Sequence, residues 1–382
     1  MNTFGPSALR IFVGSVVLST LLACSDEQRS SFEDEYGDNE TPRTNAEAAK
    51  SSEEKAPTFV ASDAAAPKPK ATGPVFYAHD GSAISIVDPS NGFSVTKVGV
   101  PSCLAGTNDI LTDIAVTKDG RVFGVSFRQG HPNSVGLTFS DGLPANRNYS
   151  FAFEMEIQSN AVTCKRKWQV NTTLQINGNY AKFNSLSFAP IGTLDPVQEA
   201  LVGGNEGGEL HAIDLVTGAN TLVGTLGTPI NASPGQFWSF SGDIVFAANN
   251  GNPIGFAAAR RCTDFVGTCE KVDALLEIDV AKLGPAARIV TKYERGMFTT
   301  RSSGAGCMPG GIQGATFANI YGLALLNDKV YAFDNDDRGT GRILSIDTKD
   351  ANTCVVSTHP GLPFNGAGVT TSAPVIPPAS PF

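Results

Sequence analysis

The chain has 382 residues, a formal net charge of −9, 41% apolar and 17% charged residues. That is too little charge for a coiled coil or an acidic disordered protein, and the sign is wrong for holding a nucleic-acid backbone. The 40 Gly and 23 Pro, with many Val, Thr, Phe and Ser, favour strands and turns, in about two to three domains or one large all-β domain.

Residues 1–23 read as an export signal. Arg10 and the terminal amine form a positive start, and Ile11–Leu22 is a short apolar core. Spanning a bilayer takes ~20 apolar residues, so this core is expected to be a signal and not a permanent helix. It ends in Leu21-Leu22-Ala23-Cys24, which resembles the bacterial lipobox. By that resemblance Cys24 is diacylated, the peptide is cut before it, and the new terminus is acylated. Several acyl chains on one residue anchor stably where a single chain is marginal. The competing reading is an ordinary signal peptide with a coincidental cysteine. In the lipoprotein family an Asp after the cysteine favours the inner membrane. Ser25 stands there, so the resemblance implies a lipid anchor in the cell outer membrane.

Residues 24–73 carry the lipidated cysteine and a linker without hydrophobic period. Glu33-Asp34-Glu35 and Ala64-Ala65-Ala66-Pro67-Lys68-Pro69 are typical of it. Such a segment buries too little apolar area to offset its ordering entropy. As a flexible coil it would span roughly 40 Å and hold a domain clear of lipid headgroups.

From residue 74 the pattern is β-like up to about 376, with 377–382 as a tail. A strand ending in an acid, followed by a turn, recurs at Asp88, Glu156, Asp214, Asp279 and Asp347. A near-constant spacing in a β-rich chain marks a repeat architecture. Each of these acids is expected to start its turn by bonding the backbone two residues on. A second unit is a hairpin. It is seen in Ile114–Val125 around Asp119-Gly120, in Leu323–Phe333, in Phe240–Phe246, and with a longer turn in Leu186–Val202. Two hairpins per period make a four-stranded sheet, and stacking such sheets about an axis buries their faces. The fold class is therefore an all-β propeller. Leu210-His211-Ala212-Ile213-Asp214-Leu215-Val216-Thr217-Gly218-Ala219-Asn220-Thr221-Leu222-Val223-Gly224 resembles the ID-x-x-T-G-x-x-T-L-V-G repeats of bacterial extracytoplasmic propellers. The count is five blades if Ala367–Ser372 completes the first, or six if strands lie within 293–318. Insertions are expected at 128–149, 249–272 and 293–318. The competing fold is a sandwich of tandem hairpins.

Six cysteines follow Cys24, and an even number in an exported chain favours disulfides. Proximity in the repeat suggests Cys262–Cys269 and Cys103–Cys164, leaving Cys307–Cys354. No His-Glu-x-x-His, Gly-x-Ser-x-Gly, P-loop or Gly-x-Gly-x-x-Gly occurs. His211 reads as a packed blade residue. Asp334, Asp336 and Asp337 beside Gly339 could hold Ca²⁺ through oxygen ligands, although Arg338 falls where such a loop wants an oxygen. The favoured reading there is a solvated acidic loop and no cofactor.

Residues opening the innermost strands would ring the channel mouth: Thr112 or Asp113, Asn184 or Ser185, Gln236, Tyr321 and Asn365. Two functions compete. One is a binding or scaffold module presented to an envelope protein or glycan, with no nucleic acid. The other is a glycosidase-like hydrolase, which needs two or three carboxylates converging on the channel. Only Asp113, with Asp109 nearby, can be placed there from sequence. A second, buried carboxylate facing Asp113 would turn the reading toward the hydrolase.

Overall fold

A computed structural model of the protein describes residues 74–170, 175–176, 179–249, 252–263, 268–301, 307–308, 314–327, 329–336 and 338–373. The signal, Cys24, the linker, Asp337 and the 377–382 tail lie outside these residues.

The strands in chain order are β1 (Phe76–His79), β2 (Ile84–Asp88), β3 (Ser94–Gly99), β4 (Asp109–Val116), β5 (Val122–Arg128), β6 (Tyr149–Ile157) and β7 (Val162–Gln169). The short pair β8 (Gln175–Ile176) and β9 (Asn179–Tyr180) precedes β10 (Phe183–Ala189), β11 (Ala200–Asn205), β12 (Glu209–Ile213) and β13 (Asn220–Thr225). Then come β14 (Phe237–Asn249), β15 (Asn252–Cys262), β16 (Ala274–Ile278), β17 (Thr291–Met297) and β18 (Thr299–Thr300). The last are β19 (Ile320–Leu326), β20 (Lys329–Asn335), β21 (Gly341–Ile346), β22 (Asn352–His359) and β23 (Gly366–Gly368).

Five sheets result, each built on four antiparallel strands: β23-β1-β2-β3 and, in sequence order, β4 to β7, β10 to β13, β14 to β17 and β19 to β22. We number them blades 1 to 5. β18 adds to blade 5 by pairing in parallel with β22. This is a five-bladed β-propeller. Blade 1 joins both ends of the domain, with Tyr77 opposite Gly368, Ala78 opposite Ala367 and His79 opposite Gly366.

All five repeated acids close the third strand of their blade. Asp88 accepts from Ser90 N at 2.9 Å, Asp214 from Val216 N at 2.8 Å and Asp347 from Lys349 N at 3.0 Å, each two residues on. Asp279 instead pairs with Lys282 beside a short 3₁₀ helix, Val280–Lys282, and Glu156 with Lys165.

Blade 4 departs from expectation. Ser241-Gly242-Asp243 is not a hairpin turn but a bulge inside the 13-residue β14. The 249–272 insertion is mostly strand β15, whose Ile254-Gly255-Phe256-Ala257-Ala258-Ala259 core lacks the alternation of a one-sided strand. Gly255, Phe256 and the three alanines are buried, so both faces of this strand are covered. β17 runs into the 293–318 segment, which holds no sixth blade among the described residues. The 128–149 insertion is a loop between β5 and β6.

Aromatic rings fill the clefts between blades. Phe123 and Phe188 meet at 5.1 Å between blades 2 and 3, and Phe76 and Phe333 at 5.8 Å between blades 1 and 5. Each fully buried Phe contributes about 2–3 kcal/mol by area. The three disulfides are Cys103–Cys164, Cys262–Cys269 and Cys307–Cys354, the pairing proposed from sequence. The first spans 61 residues and the second 7. In the chain-entropy account they stabilise by about 4 and about 2.5 kcal/mol. Replacing Cys103 and Cys164 together by Ala should therefore lower the unfolding free energy more than the Cys262/Cys269 double replacement. Urea midpoints of the two variants test the order.

Candidate functional site

Four innermost strands carry an irregularity near their start. An extra residue interrupts pairing at Thr112 in β4, Asn184 in β10 and Tyr321 in β19, and Ser241-Gly242-Asp243 does so in β14. A bulge re-aims side chains, and barrel or channel rims favour them. Thr112, Asn184, Ser241 and Tyr321 are half-buried, as is Asn365 just before β23. Thr112 Oγ1 donates to Val125 O at 3.1 Å, and Asn184 Nδ2 to Phe240 O at 3.3 Å. Asn365 Oδ1 accepts from Asn335 Nδ2 at 3.2 Å. Three of the positions expected at the mouth, Thr112, Asn184 and Tyr321, thus share one structural role. Gln236 does not: it closes a turn ahead of β14, its Oε1 accepting from Ser233 N at 2.8 Å.

One residue further along, and at the end of the wider bulge in β14, lies a second ring: Asp113, Ser185, Asp243, Gly322 and Gly366. Asp113 and Asp243 are 0% and 1% exposed. Asp113 Oδ2 accepts from Leu186 N of blade 3 at 2.6 Å, and Asp243 Oδ2 from Leu323 N of blade 5 at 2.8 Å. Each carboxyl therefore stitches its blade to the next. Asp243 is the carboxyl that sequence reasoning missed. Its Asp243-Ile244 pair matches Asp113-Ile114 and could have revealed it, but the Gly242-Asp243 step reads as a turn.

Burial drives both acids toward the neutral form. Asp113 is held well above the usual carboxylate range, first by burial and then by Asp243, and burial pushes Asp243 up to about 8. His79, at the end of β1, is pushed down to about 3 by burial and is neutral. Its Nδ1 accepts from Gly81 N at 3.1 Å, so the proton sits on Nε2.

Charged residues nearer the rim are matched in pairs. Arg128 binds Asp109 and, at 2.6 Å, Asp141, with its guanidinium between the rings of Phe139 and Phe151. Lys167 Nζ adds a 2.7 Å contact to Asp109. Asp109 is thus committed to two cations. On blade 4, Arg260 Nε donates to Asp273 Oδ1 at 2.7 Å, and Asp273 Oδ2 accepts from Ile320 N at 2.9 Å. On blade 5, Arg342 Nε donates to Asp334 Oδ2 at 2.8 Å, and burial raises Asp334 to about 8 despite that neighbour.

The acidic loop divides its carboxylates. Asp334 points inward to Arg342, whereas Asp336 is half-buried and accepts from Arg338 N and Thr340 N in a turn. The two face different partners and do not converge on one ion. Among the described residues no group of three or more His, Cys, Asp or Glu is disposed to hold a metal. His211 is buried, pairs with Glu209 at 3.0 Å and packs edge-on to Phe183. Trp238 is buried and donates to Glu294 Oε1 at 3.0 Å, so its ring offers no stacking platform.

Comparison with solved structures finds remote similarities. A protein of unknown function from Bacteroides caccae is 12% identical, with 78% of this chain and 99% of that chain covered and a TM-score of 0.35. TolB from Acinetobacter baumannii is 10% identical over 78% of this chain and 67% of that one, TM-score 0.38. The C-terminal domain of PilY1 from Pseudomonas aeruginosa is 10% identical over 72% and 67%, TM-score 0.33. The likeness is one of fold. No family model matches the chain, and no curated protein matches its sequence. Any functional reading therefore rests on the residues of this chain.

What can the arrangement do? The mouth offers hydroxyl, amide and phenol groups on rigid strands. The acids below it are out of reach of an entering substrate, because both are sealed from solvent and hold backbone amides.

Proposed function

We propose that the protein is a lipid-anchored module of the cell outer membrane that works by binding a protein or glycan at the mouth of its propeller. The observation that carries this reading is the contrast in the channel. Half-buried Thr112, Asn184 and Tyr321 sit at strand bulges and half-buried Asn365 just ahead of β23, while Asp113 and Asp243 one step along are closed off from solvent. Three disulfides are consistent with an oxidising compartment, as the lipobox resemblance implies. The linker would give the domain its reach.

The hydrolase alternative gains a second carboxyl facing Asp113 but loses on access. A glycosidase needs an acid that touches the leaving oxygen and a carboxylate with room for water or a sugar ring. Neither Asp113 nor Asp243 has that room.

The anchor is tested with Cys24→Ser. This variant should fail to incorporate labelled palmitate and should leave the outer-membrane fraction for the soluble one. A Cys24→Ser protein that stays membrane-bound would remove the anchor. Binding is tested by placing a photo-crosslinking residue at Asn184 or Asn365 of the full chain in cells, with Glu156 as a rim control. Discrete adducts from the mouth positions alone support the reading; no adducts, or the same adducts from Glu156, overturn it.

A further inference from the structure

The ring beneath the mouth leaves polar atoms unpartnered, Asp113 Oδ1 and Ser185 Oγ among them. Asp243 already accepts at both oxygens, from Ile244 N at 2.6 Å and Leu323 N at 2.8 Å. Asp113 Oδ2 accepts from Leu186 N, an amide that also lies within reach of the Asp243 carboxyl. Asp113 Oδ1 is buried with no partner. An acceptor orphaned in a dry site costs about 1–3 kcal/mol, and more when charged. Two ionised carboxylates side by side without a cation would cost more still.

The surroundings supply no neutralising charge. From β1 comes His79, whose ring is neutral and turned to the Thr112 backbone. β10 contributes Ser185, and β23 contributes Gly366, where an added Cβ would stand 2.1 Å from His79 Nε2 and 2.9 Å from Asp113 Oδ1. β19 contributes Gly322 and, above it, Tyr321. On β5 the charged group is Arg128, and on β15 it is Arg260. These are committed to Asp109 and Asp273 respectively. Arg342 is likewise held by Asp334. One change satisfies the orphan and removes the like-charge contact, namely a proton on Asp113 Oδ1.

We propose that Asp113 and Asp243 share one proton across the channel, Asp113 as carboxylic acid donating through Oδ1 to Asp243, so that blades 2 and 4 are bolted together by a bond that alkaline pH removes. The proton leaves to solvent when the bolt opens, and two facing carboxylates then push the inner strands apart. The sign follows from linkage. Folding raises the proton affinity of this pair, so its contribution is complete below about pH 4 and is lost as pH rises through about 8. The elevated affinity of Asp113 acts in the same direction.

The experiment is thermal unfolding of the full chain from about pH 6 to about pH 9, with infrared detection of the protonated carboxyl C=O stretch near neutral pH. The wild type should lose about 5 °C or more over that range. Asp243→Asn keeps an acceptor for Leu323 N and supplies an N–H for Asp113, so its melting temperature should fall by less than half as much. The carboxylic-acid band should weaken in the same variant. Asp334→Asn removes the other buried carboxyl raised to about 8, so the slope and the band that survive in this variant belong to the dyad. If Asp243→Asn does not fold, Asp113→Asn replaces it, and the infrared band is read in Asp334→Asn, where the dyad is its remaining source. A wild type without that band at neutral pH overturns the proposal. So does an equal pH slope in the wild type and both dyad variants.

Discussion

A chain ending at Phe364 is expected to lose cooperative unfolding. Removing the residues from Asn365 onward deletes β23, the only strand that covers the inner edge of β1. The damage extends to three blades. Asn365 N bonds His79 O at 2.7 Å in blade 1. Thr370 bridges to Val116 and bonds Thr117 O at 2.8 Å in blade 2. Ala367 packs against Gly322 of blade 5, where an added Cβ would approach Ala367 N to 2.5 Å. Buried Ala367, Val369 and Ala373 leave the core with it. Whole domains are stable by only about 5–15 kcal/mol, so a loss spread over three blades is of the order of the total. Circular dichroism on heating should show a broad transition at a much lower temperature, and limited proteolysis should cut early in blade 1. A truncated chain melting within about 2 °C of the wild type would mean that the ring does not depend on this strand.

Phe333→Ala should have the largest effect of any single side-chain truncation between blades. Phe333 is fully buried on β20, edge-on to Phe76 at 5.8 Å and to Phe364 at 5.3 Å. Phe76 belongs to blade 1, while Phe364 leads into the strand that completes it. The ring thus joins the two sides of the closure. Truncating a buried Phe costs about 3–5 kcal/mol through lost burial and the remaining cavity. Tyr293→Ala, at a ring 52% exposed on β17, should change stability by less than about 0.5 kcal/mol. Urea denaturation of both variants gives the comparison. A loss under about 1 kcal/mol at Phe333 would show that the blade 1–blade 5 cleft repacks freely.

Much of the architecture was legible because it is local and repeated. The acid that ends each third strand, and the Asp119-Gly120 turn, depend on neighbours a few residues away. Their spacing predicts five sheets and the closure by the C-terminal strand. The disulfides followed because cysteines in one blade are brought together by the sheet. Blade 4 was harder to read. β15 is covered on both faces, so its Ala-rich run has no period of two, and Gly242 suggests a turn. The glycine has another reason: a Cβ there would stand 1.8 Å from Ile320 O, so only glycine lets β14 pass blade 5. Gln236 was aligned with Thr112 for the same reason, several residues ahead of the true ring position. The pairing of Asp113 with Asp243, and of Arg260 with Asp273, was not legible at all. The first joins residues far apart in sequence, the second spans the connection from β15 to β16, and no local pattern encodes either.

The shared first blade also has a consequence for how the molecule comes into being. A chain that emerges N-terminus first must keep β1 without its inner partner until β22 has appeared and β23 arrives last. Every intermediate before that moment is an open crescent with two raw ends, each presenting unsatisfied backbone and an uncovered sheet face. Closure waits for β23, and anything that guards the nascent crescent must hold it until that strand is made.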